Sequence, residues 1–222
     1  MLAVVTTCRD REHHLRMTLP MLSAQDYPIA EKVMVGYNET SDSLAELCRE
    51  HQFDLHYVMN RPEQFNLARA RNFGAVQLVG DPDYILFMDA DTMLRPHSIA
   101  VAMSIIELDE LDLLVLKGAD PYSAGTLIVH KDAFFSVRGY NESFQDWGGE
   151  DQDFVRRMVK AGYVRQYTRP NFIHNIAHPR SESVTHYTVK NCRVSFARNL
   201  KLYGNQSIDE MNSCIPKKVL NG

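Results

Sequence analysis

The amino-acid sequence predicts an α/β protein built around a mostly parallel sheet. Up to about residue 116, short apolar runs alternate with segments whose apolar residues recur at three- and four-residue spacing. The first pattern is typical of buried strands and the second of amphipathic helices. Strands that alternate with helices form βαβ units with right-handed crossovers. The 222 residues show no repeat, low-complexity segment or linker, so we expect a single domain.

The first half of the chain contains the clearest elements. Apolar runs predict four strands, at Leu2–Thr7, Lys32–Gly36, Asp54–Met59 and Tyr84–Met88. Helical spacing predicts three helices between them, at Glu12–Ser23, Asp42–His51 and Leu67–Val79. The second of these helices can be capped by Ser41 or Asp42, since short polar side chains accept hydrogen bonds from free backbone N–H groups.

The second half of the chain is less regular. Pro96 is expected to open a helix at its first turn, where the missing N–H costs nothing. The segment from Leu113 to His130 is strand-like, and a helix is predicted over Gln152–Ala161. A loop rich in histidine and asparagine follows, and a last helix is predicted from Val189 to Leu202.

Composition and charge exclude several classes of protein. The net charge of −4 argues against a general nucleic-acid binder, which needs a basic surface. The four cysteines are scattered without metal-ligand spacing, a pattern typical of reduced thiols in a cytosolic protein. The first residues lack the features of a signal peptide, and no segment approaches the roughly twenty apolar residues of a transmembrane helix. We therefore expect a cytoplasmic location, with peripheral association at the membrane face left open.

Asp89-Ala90-Asp91 closes the fourth predicted strand. Ligands of open α/β sheets bind at the carboxyl ends of strands. In an extended backbone, Asp89 and Asp91 point the same way. Carboxylate oxygens suit Mg²⁺ or Mn²⁺, so the pair predicts a cation site that faces a phosphate. The alternative interpretation is a plain polar loop.

A second acidic cluster, Trp147-Gly148-Gly149-Glu150-Asp151-Gln152-Asp153, follows about sixty residues later. Its glycines let the backbone approach a ligand, and its carboxylates can act as a base. An alternative is a loop followed by the acidic first turn of a helix. That alternative explains the acids but not the Trp-Gly-Gly segment.

Basic and imidazole side chains supply the remaining candidates. Thr6, Arg9 and Arg11 lie where the first strand meets its helix, and guanidinium groups match phosphate oxygens. Arg69 and Arg71 are two residues apart, so at most one is expected to point into the site. His174 and His178 are four apart, and one of them is a plausible ligand for a manganese-like metal. Solvated surface residues are the alternative in each case.

Four segments together resemble the metal-dependent nucleotide-sugar glycosyltransferases with a GT-A fold, in particular family 2 and the β-1,4-galactosyltransferase group. The segment from Arg9 to Leu15 is similar to the nucleotide-contacting Arg-Asn-Arg segment of that group, and Phe65 to Asn72 to its Phe-Asn-Arg-Ala segment. Asp89-Ala90-Asp91 matches the metal-binding acidic triplet. Ala124-Gly125, followed by Lys131 to Gly139 and then Trp147 to Asp153, resembles the acceptor-side module.

The resemblance implies a Rossmann-like GT-A domain over residues 1–222. Residues 1–116 would form its nucleotide-binding half and residues 117–222 its acceptor-binding half. Asp91 would ligate Mn²⁺ or Mg²⁺, and Asp89 would support the metal or the ribose. His174 would be the distal metal ligand, with His178 as the second choice.

The resemblance also implies roles at the reacting centre. Asp151 would be the general base, Glu150 would hold the acceptor hydroxyl, and Trp147 would offer a flat face to a sugar ring. Where family 2 places acidic residues after the second strand, this chain has Tyr37-Asn38-Glu39, in which Glu39 or Asn38 would substitute in base recognition. The residues implied to bind the donor are Thr6, Arg9, Arg11, Glu39, Phe65, Arg71, Asp89, Trp147 and Gly149.

The expected activity is inverting transfer of a hexose or N-acetylhexosamine from a UDP-sugar, with galactose or N-acetylgalactosamine favoured. The acceptor would be a glycan, a lipid-linked oligosaccharide or a protein. Two alternatives are a non-catalytic nucleotide-sugar-binding module and a haloacid-dehalogenase-like phosphatase with Asp89 as nucleophile. Met93 and the Trp-Gly-Gly segment do not fit the phosphatase.

Overall fold

The computed structural model describes residues 1–38, 40–59, 65–119, 125–203 and 205–216. The strands are β1 Leu2–Cys8, β2 Ile29–Tyr37, β3 Asp54–Val58, β4 Tyr84–Met88, β5 Thr92–Met93, β6 Leu113–Val115, β7 Leu127–His130, β8 Arg165–Tyr167 and β9 His174–Asn175. The helices are α1 Glu12–Ser23, α2 Asp42–His51, α3 Leu67–Val76, α4 Ser98–Asp109, α5 Lys131–Ser136, α6 Glu150–Lys160, α7 Arg180–Ser183 and α8 Cys192–Asn199.

The main sheet has seven strands in the order β3-β2-β1-β4-β7-β6-β8. Strands β3, β2, β1 and β4 are parallel neighbours, whereas β7 runs antiparallel to both β4 and β6. At the centre of the sheet, Thr6 of β1 pairs with Met34 of β2 on one side and with Met88 of β4 on the other. The predicted α/β class with a mostly parallel sheet is confirmed.

The central strands are apolar along their whole length because both faces of the sheet are covered. In β1, Val4 packs into the cluster beneath α1, α2 and α4, and Val5 packs into the opposite cluster with α3, α5 and α6. In β4, Leu86 and Phe87 divide in the same way. This alternation is the period-two pattern of a strand, and it places the helices on both sides.

Several helices and strands begin or end at other residues than predicted. Ser41 caps α2, as one of the two predicted residues, because its Oγ accepts from Leu44 N at 3.2 Å. Helix α4 begins at Ser98, so the prediction that Pro96 lies in its first turn is wrong. The strand-like segment from Leu113 to His130 is two strands, and Asn191 caps a last helix that is shorter than predicted.

Within the described residues, no helix combines the length and the apolar character needed to cross a bilayer.

Candidate active site

A cavity of about 550 Å³ opens at the carboxyl ends of β1 and β4. This is where open α/β sheets bind ligands, because the strands diverge into separate loops there. The cavity brings together most of the predicted site residues, namely Arg9, Arg11, Phe65, Arg71, Asp89, Asp91, Trp147, Gly149, Glu150, Asp151 and His178.

Asp91 and His178 meet through the small second sheet. Strand β5, directly after the acidic triplet, pairs antiparallel with β9, so Thr92 lies opposite Asn175. Ile176 N donates to the backbone oxygen of Asp91 at 2.8 Å. These bonds bring His178 Nε2 to 3.2 Å from Asp91 Oδ2, with both side chains on the cavity wall.

Two predicted site residues do not line the cavity, and a third falls outside the described part of the chain. His174 Nε2 accepts from Arg95 Nε at 3.0 Å and is not among the lining residues, so the predicted preference for His174 over His178 does not fit the geometry. Thr6 is fully buried inside β1, and Thr7 lines the cavity instead, because adjacent strand residues face opposite sides. Glu39 lies outside the described residues.

Arg71 joins the two acidic clusters. Its side chain is 3% exposed. Nη2 donates to Asp89 Oδ1 at 2.6 Å and to the backbone oxygen of Gly125 at 3.1 Å, and Nη1 donates to Asp151 Oδ1. A Cβ atom at residue 125 would clash with Asp89, so only glycine allows this approach. The arginine therefore holds both carboxylates in fixed positions, a role that the sequence did not indicate.

Two carboxyl groups at the start of α6, those of Glu150 and Asp151, have raised pKa values. Burial and the neighbouring Asp151 carboxylate raise the pKa of Glu150 to about 8. Burial raises the pKa of Asp151 as well, while the Arg71 guanidinium works in the opposite direction. Asp151 bonds directly to the Arg71 guanidinium, whereas the same guanidinium acts on Glu150 only as a nearby charge, so the two groups are suited to different protonation states.

We expect Glu150→Gln to flatten the pH dependence of stability. A folded-state pKa of about 8, above the ordinary 4.5, means that the folded chain holds a proton that the unfolded chain has released. The free energy of unfolding should therefore fall as pH rises from about 4.5 to about 8. Urea unfolding at about pH 5 and about pH 9 measures the slope. Glu46→Gln, at an exposed glutamate of α2, is the matched control. Equal slopes in both variants would contradict the expectation.

The Trp147-Gly148-Gly149 loop is held by α8. Gly148 and Gly149 have φ values of 95° and 101°, which favour glycine. Ser195 Oγ accepts from Trp147 N at 3.0 Å and donates to its backbone oxygen at 2.9 Å. Asn199 Nδ2 donates to Gly148 O at 2.8 Å. The sequence showed no signal for this role of α8, which lies more than forty residues downstream of the loop.

The far wall of the cavity comes from the segment between α7 and α8. Tyr187 stacks against Phe65 with ring centroids 6.2 Å apart, and Phe65 meets Tyr37 edge-on at 5.0 Å. Arg11 forms an ion pair with Glu182, and His186 Nε2 lies 2.7 Å from Asp10 Oδ2. The sequence predicts only a loop rich in histidine and asparagine here, and it does not identify Tyr187 or Glu182.

This sheet order, with an acidic loop after β4 and a second acidic cluster across the cavity, defines a glycosyltransferase-type domain of the GT-A class. The family model described as "Glycosyltransferase like family 2" matches residues 1–123, more than half of the chain. The chain belongs to this family, and the predicted family and fold are confirmed. A second model, described as "N-terminal domain of galactosyltransferase", matches residues 117–182.

Curated relatives point to the same group. The chain is 25% identical to beta-1,4-galactosyltransferase 1 of Mus musculus over 186 residues, which cover 77% of this chain and 39% of the relative. It is 28% identical to beta-1,4-galactosyltransferase 7 of Homo sapiens over 122 residues, or 53% of this chain and 37% of the relative. The chain thus spans about two fifths of the length of these relatives.

Solved structures show the same fold. TarS residues 1–349 from S. aureus, in complex with UDP-GlcNAc, superposes with a TM-score of 0.62 at 15% identity, covering 85% of this chain and 61% of that one. The mannosyltransferase PcManGT from Pyrobaculum calidifontis, in complex with GDP-Man and Mn²⁺, gives 0.64 at 16% identity, covering 81% and 57%.

Proposed function

We propose that the chain is an inverting, metal-dependent glycosyltransferase domain that moves a sugar from a UDP-sugar to a hydroxyl acceptor. Galactose or N-acetylgalactosamine is the favoured sugar, in keeping with the names of the curated relatives. One observation carries the proposal. The two carboxylate clusters, which come from distant parts of the sequence, face one cavity and are joined by Arg71.

The donor diphosphate would lie between the first loop and the acidic triplet. Arg9 and Arg11 line that side of the cavity, and their guanidinium groups suit phosphate oxygens. Phe65 and Tyr187 offer stacked aromatic faces to a planar base. A structural neighbour that holds UDP-GlcNAc supports a nucleotide-sugar donor, and residues 1–116 would form the half that binds it.

Asp91 and His178 fit a divalent cation. Their polar atoms lie 3.2 Å apart on the cavity wall, a separation that suits two ligands of one ion. A carboxylate oxygen with an imidazole nitrogen suits Mn²⁺, which a second structural neighbour contains. When bound, the cation would neutralise charge on the departing diphosphate. Asp89, held by Arg71, would support this end of the site.

Asp151 is the proposed base. The acceptor hydroxyl oxygen bonds to the anomeric carbon on the face opposite the diphosphate, and the bond from that carbon to the diphosphate oxygen breaks. The hydroxyl proton passes to the Asp151 carboxylate. Arg71 holds that carboxylate by Oδ1, which fixes its direction. Trp147, 39% exposed at the rim, would offer its ring to the acceptor sugar.

The acceptor would be a glycan, a lipid-linked oligosaccharide or a protein, bound by residues 117–222. Cytoplasmic location and association with a membrane face stay predictions. The phosphatase alternative is excluded by the family match. A non-catalytic binding module would keep the donor site and fail in transfer, so it is an outcome of the kinetic test.

Calorimetric titration of UDP with and without Mn²⁺ tests the donor site. We expect binding that requires Mn²⁺ and that Asp91→Asn abolishes, because the variant removes a charged ligand. His178→Ala should weaken this binding by about tenfold or more. His174→Ala is the matched control, since His174 contacts Arg95 and does not line the cavity. Equal losses of UDP affinity in the two histidine variants would contradict the assignment of His178 as a metal ligand. Absence of UDP binding both with and without Mn²⁺ would contradict the proposed function.

A further inference from the structure

A second group of metal-ligating side chains lies beside the cavity. His13 and His14 stand in the first turn of α1, and Glu182 stands in α7. His13 Nε2 lies 3.1 Å and His14 Nε2 3.7 Å from Glu182 Oε1. One ligand atom from each of the three residues falls within 4.8 Å of the others. The two histidines lie more than 160 residues before Glu182 in the sequence, so no spacing motif indicates the cluster.

The geometry suits a tetrahedral ion. Bonds of about 2.0–2.1 Å to imidazole and carboxylate place neighbouring zinc ligands about 3.3 Å apart. The two measured separations bracket that value. Two imidazoles and one carboxylate form a donor set that zinc sites in proteins use, with the fourth position open to water. The third separation, between ligand nitrogens of the two imidazoles, is at most 4.8 Å, so binding of Zn²⁺ by all three groups requires the two rings to adjust around the ion.

The surroundings of His14 suit a metal ligand. Its side chain is 4% exposed, and its Nδ1 has no hydrogen-bond partner among the described residues. His14 Nε2 faces Glu182 Oε1 at 3.7 Å, so a tautomer with its proton on Nδ1 would leave the Nε2 lone pair free to bind an ion between them.

We propose that His13, His14 and Glu182 form a Zn²⁺-class binding site separate from the Asp91 and His178 pair. The ion would tie α1 to α7, and the segments that adjoin these two helices line the cavity through Arg11 and His186. The His14 ring lies 5.2 Å from the ring of His178, so the two sites are neighbours. The inference does not depend on the proposed transferase activity.

The positive charge of Arg11 opposes cation binding at this site. Its Nη1 donates to Glu182 Oε1, and its Nη2 donates to the Glu182 backbone oxygen at 2.7 Å. A bound cation must share the carboxylate with the guanidinium, and like charges at this range repel. Arg11→Gln should therefore tighten Zn²⁺ binding, and an unchanged or weaker affinity would count against the site.

Competition with a chromophoric chelator for Zn²⁺ gives the decisive test. The background is Asp91→Asn, which removes the carboxylate of the neighbouring pair. We expect this protein to retain a single zinc ion. Added His13→Asn should weaken zinc binding by about tenfold or more. Added His97→Asn is the matched control, because His97 is an exposed histidine that pairs with Asp26 away from the cavity.

The outcomes separate the possibilities. Equal zinc affinity in the His13 and His97 variants overturns the proposal, and so does loss of zinc in the Asp91→Asn background, which would assign the ion to the Asp91 pair. His13 is 59% exposed, so its substitution leaves the core intact, and thermal unfolding of both variants verifies this. UDP titration is a separate readout, so failure of the donor site leaves this result unaffected.

Discussion

Asp151→Asn should lower kcat by about 10²- to 10⁴-fold, the usual contribution of a positioned general base. The amide keeps the shape of the side chain and can still accept from Arg71, but it cannot take the acceptor proton. The affinity for UDP in the presence of Mn²⁺ should change little, because the Asp91 and His178 side of the cavity is untouched. Steady-state transfer to a screened acceptor, with calorimetry of UDP, measures both quantities.

Glu150→Gln is the matched control for this experiment. Because the pKa of Glu150 is raised to about 8, the residue is mostly protonated at neutral pH, and glutamine preserves its charge and its ability to donate. We expect a much smaller loss of kcat than in Asp151→Asn. The reverse order would assign the base to Glu150. Normal turnover in both variants would remove both carboxylates from consideration, and absence of transfer by the wild-type protein to every acceptor would favour the binding module.

Arg71→Met should lower the free energy of unfolding by about 3–5 kcal/mol, the cost of breaking a buried ion pair. The substitution leaves Asp89 and Asp151 facing each other across the cavity wall without the cation between them. Methionine fills a similar volume, so the decrease in the free energy of unfolding measures the loss of the charge rather than a loss of packing. Urea unfolding near neutral pH measures the difference.

Arg69→Met provides the comparison, because the sequence places this second arginine on the same helix only two residues away. Arg69 is partly exposed, whereas Arg71 is 2% exposed. We expect Arg69→Met to stay within about 0.5 kcal/mol of wild type, as surface substitutions usually do. If the two variants unfold alike, the bridge between the carboxylates contributes little to the fold.

The sequence predicts the fold best where burial is strongest. Strands β1 and β4 are apolar along their whole length and have helices on both faces, so their bounds are predicted to within one residue. The predicted ends of helices and strands are wrong where the conformation of an adjoining loop determines them. Helix α4 begins after His97 adopts a positive φ of 63°, a conformation that no local pattern indicates.

Within the candidate site, the sequence identifies residue types but not their partners. Asp89, Asp91 and Asp151 stand out because carboxylates follow an apolar strand or two glycines. The choice between His174 and His178 depends on the pairing of β5 with β9, which joins segments about eighty residues apart. The Arg71 bridge depends on the same kind of long-range contact, and residue spacing within α3 shows only that Arg69 and Arg71 face different directions.

The hydrogen bonds between the Trp147 loop and α8 have a mechanical consequence. Gly148 and Gly149 supply a fixed left-handed turn, and the backbone oxygen of Gly148 is held by Asn199. Trp147 is held on both sides of its backbone by Ser195. A movement of the Trp147 backbone that keeps these hydrogen bonds therefore carries α8 with it. In such a movement the loop and the helix act as one unit, so its rate depends on the contacts that anchor α8 as well as on the glycines.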